Sequence, residues 1–214
     1  MIFNEKMALE VASSLLQIKA IKLQPTNPFT WASGILSPIY CDNRKILSYP
    51  DSRKLVADSL TEVIREKYGS ADVVAGVVTG GIAHGVLVAE RLGLPFVYVR
   101  PDAKGHGLKN LIEGELNKED TVIVVEDLIS TGGSSLKVVD AIRDYGCKVL
   151  GMTAIFSYGF ERAANNFREH DCELFTLSIY HVLIKEALRS GYINENEMKL
   201  LEEWRENPDI LKAV

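Results

Sequence analysis

No stretch of this 214-residue chain approaches the 18 or more consecutive apolar residues of a membrane span. Nor does its N-terminal sequence, MIFNEKMALEVASSLLQI, place a basic region ahead of an unbroken apolar core; Glu5 and Glu10 interrupt it, so no signal peptide is expected. Cysteine is scarce. Cys41, Cys147 and Cys172 lie far apart without CxxC spacing, which fits neither a disulfide framework nor a zinc site, and points to a reducing, cytoplasmic compartment. An excess of positive charge is missing too: 24 Lys and Arg stand against 29 Asp and Glu, for a net charge of -5. General nucleic-acid binding draws on neutralising many phosphates, so no nucleic-acid partner is expected, although a local basic pocket for a small anion remains open. Both the GxxxxGK[ST] loop of nucleoside-triphosphate enzymes and the GxGxxG dinucleotide fingerprint are absent.

What remains is an ordinary globular composition, with 47% hydrophobic and 25% charged residues, in a length that suits one domain with a small appendage. Residues 5 to 19 place Leu9, Ala12, Leu15, Leu16 and Ile18 at helical spacing, which predicts an amphipathic helix. From Leu23 to Pro50 the chain is punctuated by Pro25, Pro28, Pro38 and Pro50, and short irregular strands and turns are expected. A second helix is predicted over Ser52 to Tyr68, with Leu55, Val56, Leu60, Val63 and Ile64 as its buried stripe and Gly69 ending it.

Beyond Gly69 short apolar runs alternate with helical segments. The runs are Asp72 to Val78, Phe96 to Val99, Thr121 to Val125, Val149 to Phe156 and Leu174 to Leu177. Helices are predicted over Ile82 to Leu92 and Ser134 to Tyr145, closed by Gly93 and Gly146. Continuous rather than alternating apolar strands indicate a parallel sheet covered on both faces. Arg100 to Asp120 breaks the rhythm: polar, and carrying Gly105, Gly107 and Gly114, it is expected as a mobile binding loop. Residues 192 to 214 read as a polar helix that packs through Leu200, Leu201 and Trp204.

The chemistry gathers where the run Thr121 to Val125 ends. Glu126 and Asp127 follow it at the carboxyl edge of the sheet, where open parallel sheets bind ligands. Two adjacent carboxylates there are costly unless hydroxyls, cations or a metal-bound ligand approach them. The segment Ser130-Thr131-Gly132-Gly133-Ser134-Ser135 then enters a helix, so glycine-exposed N–H groups, hydroxyls and the helix N-terminus converge on a dianion. Simple helix capping by Asp127 and Ser130 accounts for one such group, not for the whole set. A second turn, Thr79-Gly80-Gly81, reads either as an anion-facing turn or as close strand-to-helix packing.

The segment VVEDLISTGGSS resembles the phosphoribosyl diphosphate signature of the type I phosphoribosyltransferases. That resemblance implies an α/β fold, a parallel sheet flanked by helices with a small N-terminal base-binding subdomain. It also implies that Glu126 and Asp127 take the ribose hydroxyls, while Ser130 through Ser134 wrap the 5-phosphate, with Leu128 and Ile129 between them among the substrate-binding positions. FTWASGILSPIYCDNR, Phe29 to Arg44, resembles the base-binding segment of orotate phosphoribosyltransferases, which makes Ile39 and Tyr40 the expected wall of the base site. RPDAKGHGLKNLIEG, Arg100 to Gly114, resembles that family's catalytic loop, with Arg100, Lys104 and His106 at its functional positions.

By this resemblance Lys104, His106 and Asp127 are the expected catalytic residues, and Thr79, Gly80 and Gly81 face the diphosphate. Magnesium is the expected cofactor, bound through the substrate diphosphate and ribose hydroxyls without a dedicated protein cluster. The expected partners are orotate, phosphoribosyl diphosphate and a second copy of the chain, in a homodimer whose loops complete each other's sites. The organisation follows as residues 1–50 for the N-terminal helix and base segment, 51–190 for the core, and 191–214 for a helical tail. Where other members carry Lys or Arg, this chain has Ala32, Gly80 and the segment Ser157-Tyr158-Gly159, so the partner of the orotate carboxylate stays open. A purine phosphoribosyltransferase, or a non-catalytic regulator that keeps the phosphoribosyl diphosphate nest, are the competing readings.

Overall fold

The computed structural model describes residues 1–30, 36–100 and 111–208. The first helix, α1 (Glu5–Gln17), begins where the Asn4 side chain accepts the Met7 N–H at 2.7 Å. It buries Met7, Ala8, Val11, Ala12, Leu15 and Leu16, whereas Leu9, expected on that face, is 42% exposed. The proline-punctuated stretch forms four short strands, β1 (Ile21–Leu23), β2 (Phe29–Thr30), β3 (Leu36–Ser37) and β4 (Ile39–Cys41). They pair antiparallel as β1 with β4 and β2 with β3. A 3₁₀ turn, Asn43–Ser48, leads to α2 (Pro50–Lys67), whose first residue is a proline, tolerated there because the first N–H has no helical partner.

The core follows as β5 (Val73–Val77), α3 (Gly80–Leu92), β6 (Phe96–Val99), β7 (Ile112–Glu113), β8 (Thr121–Ile129), α4 (Gly133–Tyr145), β9 (Lys148–Ser157), α5 (Glu161–Glu169), β10 (Leu174–Ile179), α6 (Tyr180–Arg189) and α7 (Glu195–Glu206). The six-stranded sheet runs β10-β9-β8-β5-β6-β7, with every neighbouring pair parallel except β6 with β7. Each residue of a central strand meets a covered face. Val122 and Val124 belong to the apolar cluster shared with Leu136, Val139 and Ile142 of α4, while Ile123 and Val125 belong to the one shared with α1, α2 and α6. This is why the strands read as unbroken apolar runs.

Three expectations are corrected. First, β8 continues through the acidic pair to Ile129 rather than stopping at Val125, because Leu128 and Ile129 keep pairing with β9. Second, the interval after Arg100 is not without regular structure: β7 folds back on β6 with Val99 opposite Ile112. Residues 101–110 lie outside the described residues. Third, in α7 it is Leu201 and Trp204 that are buried, while Leu200 is 43% exposed, since consecutive residues point about 100° apart on a helix. Neither α5 nor α6 was predicted. No helix among the described residues is long and apolar enough to cross a membrane.

Trp204 ties α7 to the sheet. Its ring lies 6.4 Å from Tyr158, 6.0 Å from Phe160 and 5.9 Å from Tyr180, and Arg205 donates to the Gly159 carbonyl at 2.7 Å. Removing that buried ring leaves a large cavity. Trp204→Ala should lower the unfolding free energy by about 3–5 kcal/mol in urea titration, whereas Leu200→Ala should stay within about 0.5 kcal/mol of the parent. Equal losses would contradict the assignment of the buried face.

Candidate active site

The alternation that buries both faces of β8 also decides where its carboxylates go. Glu126, in step with Val122 and Val124, turns to α4, where the Ser135 hydroxyl donates to it at 2.8 Å. Its other oxygen accepts the Asp127 N–H at 2.9 Å, and the side chain is almost wholly buried. Asp127, in step with Ile123 and Val125, turns to the start of α3. A Cβ on Gly80 would collide with the Asp127 carboxylate, and a Cβ on Gly81 would collide with the Val125 carbonyl oxygen. Two bare positions thus let α3 close onto β8. Gly81 serves that packing, while Thr79 and Gly80 line a cavity of 380 Å³.

The rest of that cavity is Cys41, Asp42, Arg44, Val78, Glu126, Asp127, Leu128 and Ser134. It joins the end of β4, the β5–α3 turn and the β8–α4 loop at the carboxyl edge of the sheet, with Asn43 Nδ2 donating to the Asp127 carbonyl at 2.7 Å. A larger hollow, 590 Å³, lies between α1, α2 and α6, but three of the four charged residues that line it, Glu10, Asp51 and Glu186, are acidic. Its one cation, Arg189, is already bound by Glu186 through two hydrogen bonds. It offers little to a phosphate.

In the β8–α4 loop, Gly132 adopts φ 80°, a left-handed conformation, against the ring of Phe167, where a Cβ would clash. Asn166 of α5 donates to the Thr131 carbonyl at 2.9 Å and fixes the loop from behind. Thr131, Gly133 and Ser134 are exposed at the mouth of α4, and Ser130 is half-buried. Ser135 is committed to Glu126. Of the expected base wall, Ile39 is fully buried in the core, whereas Tyr40 is 40% exposed and lies 5.7 Å from Phe29. Ile129 is likewise buried in the core, so its side chain does not face a ligand. Arg100 pairs with Glu113 at 3.2 Å across β6 and β7 and is not part of the cavity lining. Lys104 and His106 lie outside the described residues.

Sequence reasoning missed Asn43, Arg44, Asn166 and Phe167. Arg44 ended a segment singled out for its likeness to a base site, and its charge was the available signal. The two bracing residues of α5 carried none, because their role depends on the packing of a helix that was not predicted.

The electrostatics are those of a site waiting for positive charge or hydroxyls. Burial, and then the charge of Asp127, hold the Glu126 carboxyl well above the ordinary carboxylate range. Burial raises Asp127 as well, opposed by hydrogen bonding to Glu126 and by the charge of Arg44. His84, fully buried in α3, is pushed down to about 4 by desolvation and is neutral. Neither of its ring nitrogens has a hydrogen-bond partner among the described residues, and His84 belongs to no group of three or more ligating side chains among them.

These features, a parallel sheet with an acidic pair and a hydroxyl-rich loop at its carboxyl edge, define the phosphoribosyltransferase class. The phosphoribosyl transferase domain model matches residues 42–185. The orotate phosphoribosyltransferase of Porphyromonas gingivalis is 57% identical over 199 residues, covering 93% of this chain and 95% of that one. Among solved structures, orotate phosphoribosyltransferase from Aeropyrum pernix superposes with a TM-score of 0.74 at 29% identity, covering 86% of this chain and 99% of that one. Leishmania donovani UMP synthase shares the fold, with a TM-score of 0.79 at 24% identity over 93% of this chain and 42% of that one. The chain belongs to the orotate phosphoribosyltransferase family.

The raised Glu126 carboxyl has a consequence for stability. A carboxyl whose folded value lies above its unfolded one holds its proton more tightly when folded, so its contribution to stability is lost as pH rises between the two values. Asp58 and Glu186, lowered mainly by hydrogen bonds from Arg91 and Arg189, have the opposite sign but are shared by parent and variant. Measured against the parent, Glu126→Gln should therefore gain stability steadily as pH is raised from the ordinary carboxylate range towards neutrality. Urea midpoints that move in parallel for the two proteins would count against a raised Glu126.

Proposed function

We propose that this chain transfers the 5-phosphoribosyl group of 5-phospho-α-D-ribose 1-diphosphate to N1 of orotate, giving orotidine 5-phosphate and diphosphate for UMP synthesis. The reading rests on one arrangement: Asp127 at the open end of β8, between the Thr79–Gly80 turn and the Ser130–Ser134 loop. The loop takes the 5-phosphate on its N–H groups and hydroxyls, and Asp127, with Glu126 behind it, takes the ribose hydroxyls. The diphosphate falls to the Thr79–Gly80 turn. Tyr40 offers a flat face to the base.

In the reaction the bond from C1 to the diphosphate oxygen breaks with its electron pair leaving on oxygen, while the lone pair of deprotonated N1 forms the new bond to C1. Positive charge spreads over C1 and the ring oxygen, so a carboxylate held beside the ribose favours the transition state over the ground state. No protein nucleophile is needed. Lys104 and His106, with Arg100, meet the charge that grows on the departing diphosphate, and in a homodimer they are supplied by the partner. The residues present suit magnesium: the buried Glu126 and the half-buried Asp127, both raised, call for a cation or hydroxyls. When bound, magnesium would neutralise diphosphate oxygens, with Asp127 reaching it through ribose hydroxyls or water. We place the enzyme in the cytoplasm.

Phosphoribosyl diphosphate and magnesium, offered with orotate, uracil, adenine, guanine, hypoxanthine or xanthine in turn, should release diphosphate with orotate alone. Release with a purine and none with orotate would overturn the assignment. In the same assay Lys104→Ala should lower kcat on the order of 100-fold, as loss of a transition-state cation does, while KM for orotate stays within about threefold. A matching loss in orotate affinity would argue against that role.

A further inference from the structure

The cavity contains a cation that the reading above leaves without a task. Arg44 stands at the start of the 3₁₀ turn after β4, and among the described residues lining the cavity it is the only positive side chain, set against Asp42, Glu126 and Asp127. Asp42 accepts its Nε–H at 2.6 Å. Among the described residues that is the guanidinium's one hydrogen-bond partner, so the four N–H groups on its two terminal nitrogens are uncommitted, on a side chain that is 62% exposed. Asp42 therefore orients the fork by one edge and leaves the other to a ligand.

Across the cavity, the Val78–Thr79–Gly80 turn brings no charged side chain of its own, and the space beside Gly80 is taken by the Asp127 carboxylate. A diphosphate seated there meets backbone donors and three carboxylates. Resting on the proposed transferase reading, we propose that Arg44 is a diphosphate-binding residue, its terminal N–H groups gripping the leaving group of phosphoribosyl diphosphate opposite the Thr79–Gly80 turn. A guanidinium fork matches two phosphate oxygens at once, and its charge gains most as the leaving group becomes more negative. The orotate carboxylate is the other anion that Arg44 could take. The diphosphate is favoured because the cavity lining includes the β5–α3 turn but not Tyr40.

The test is a comparison of the wild type, Arg44→Gln and Arg44→Lys, in steady-state assays and in calorimetric titration with inorganic diphosphate plus magnesium. Arg44→Gln should raise the dissociation constant of diphosphate and KM for phosphoribosyl diphosphate on the order of tenfold, the loss of a charge-assisted contact, with KM for orotate within about twofold. Arg44→Lys should recover part of the loss. Urea midpoints should coincide, which separates binding from folding. An unchanged diphosphate dissociation constant overturns the proposal, as does a rise in KM confined to orotate. If the wild type fails to use orotate, the transferase reading falls, while the diphosphate titration still decides the role of Arg44.

Discussion

Helix α3 can lie against β8 only because nothing projects from Gly81, where a Cβ would meet the Val125 carbonyl oxygen. On that close approach the rest of the site depends. It brings the β5–α3 turn beside the last residues of β8, so that Gly80 and Asp127 share one small space, and it sets the spacing between the two loops that line the cavity. A sheet buried on both faces supplies the rigidity, since its strands have no exposed face along which to slip. Binding groups placed at the ends of such strands are held by the core rather than by the loops that carry them.

The second constraint is electrical. Burial drives both acidic residues near the end of β8 towards their neutral forms, and at Glu126 the charge of Asp127 adds to it. Glu126 is quieted by donors from the protein, Ser135 and the Asp127 N–H, whereas Asp127 is eased by its hydrogen bond with Glu126, the charge of Arg44 and a backbone hydrogen bond. The neighbouring carboxylates are therefore not equivalent. One is built into the wall, and the other is left to be satisfied by what enters.

Much of this was legible in the order of residues. The unbroken apolar runs gave the parallel strands, Gly93 and Gly146 marked helix ends where left-handed conformations are in fact found, and the acidic pair followed by serine and glycine marked a cavity at the carboxyl edge of the sheet. Periodicity gave the helices but not the exposure of Leu9 or Leu200, since a face several residues wide has edges whose fate depends on what packs beside them. The strand of Thr121–Ile129 was cut short because charged residues inside a strand resemble its end. Helices α5 and α6 follow directly on strand and turn residues, and their apolar faces merged with the neighbouring runs. Arg100 drew attention through the resemblance of its segment to a catalytic loop, and its ion-pair partner Glu113 lies on a strand that the pairing of β6 with β7 brings alongside.

The bracing of residues 158 to 160 by Trp204 and Arg205 carries an implication for how the molecule comes into being. These residues continue from β9 at the carboxyl edge of the sheet, where the Tyr158 N–H donates to the Ile129 carbonyl. The arginine that holds Gly159 follows it by 46 positions. During translation the last strand of the sheet ends at Ile179, so the sheet order can be complete while residues 158 to 160 still lack Trp204 and Arg205 to settle against. At ribosomal speeds of about 5–20 residues per second, that interval lasts for seconds. The nascent chain acquires its architecture before this edge of the sheet is braced.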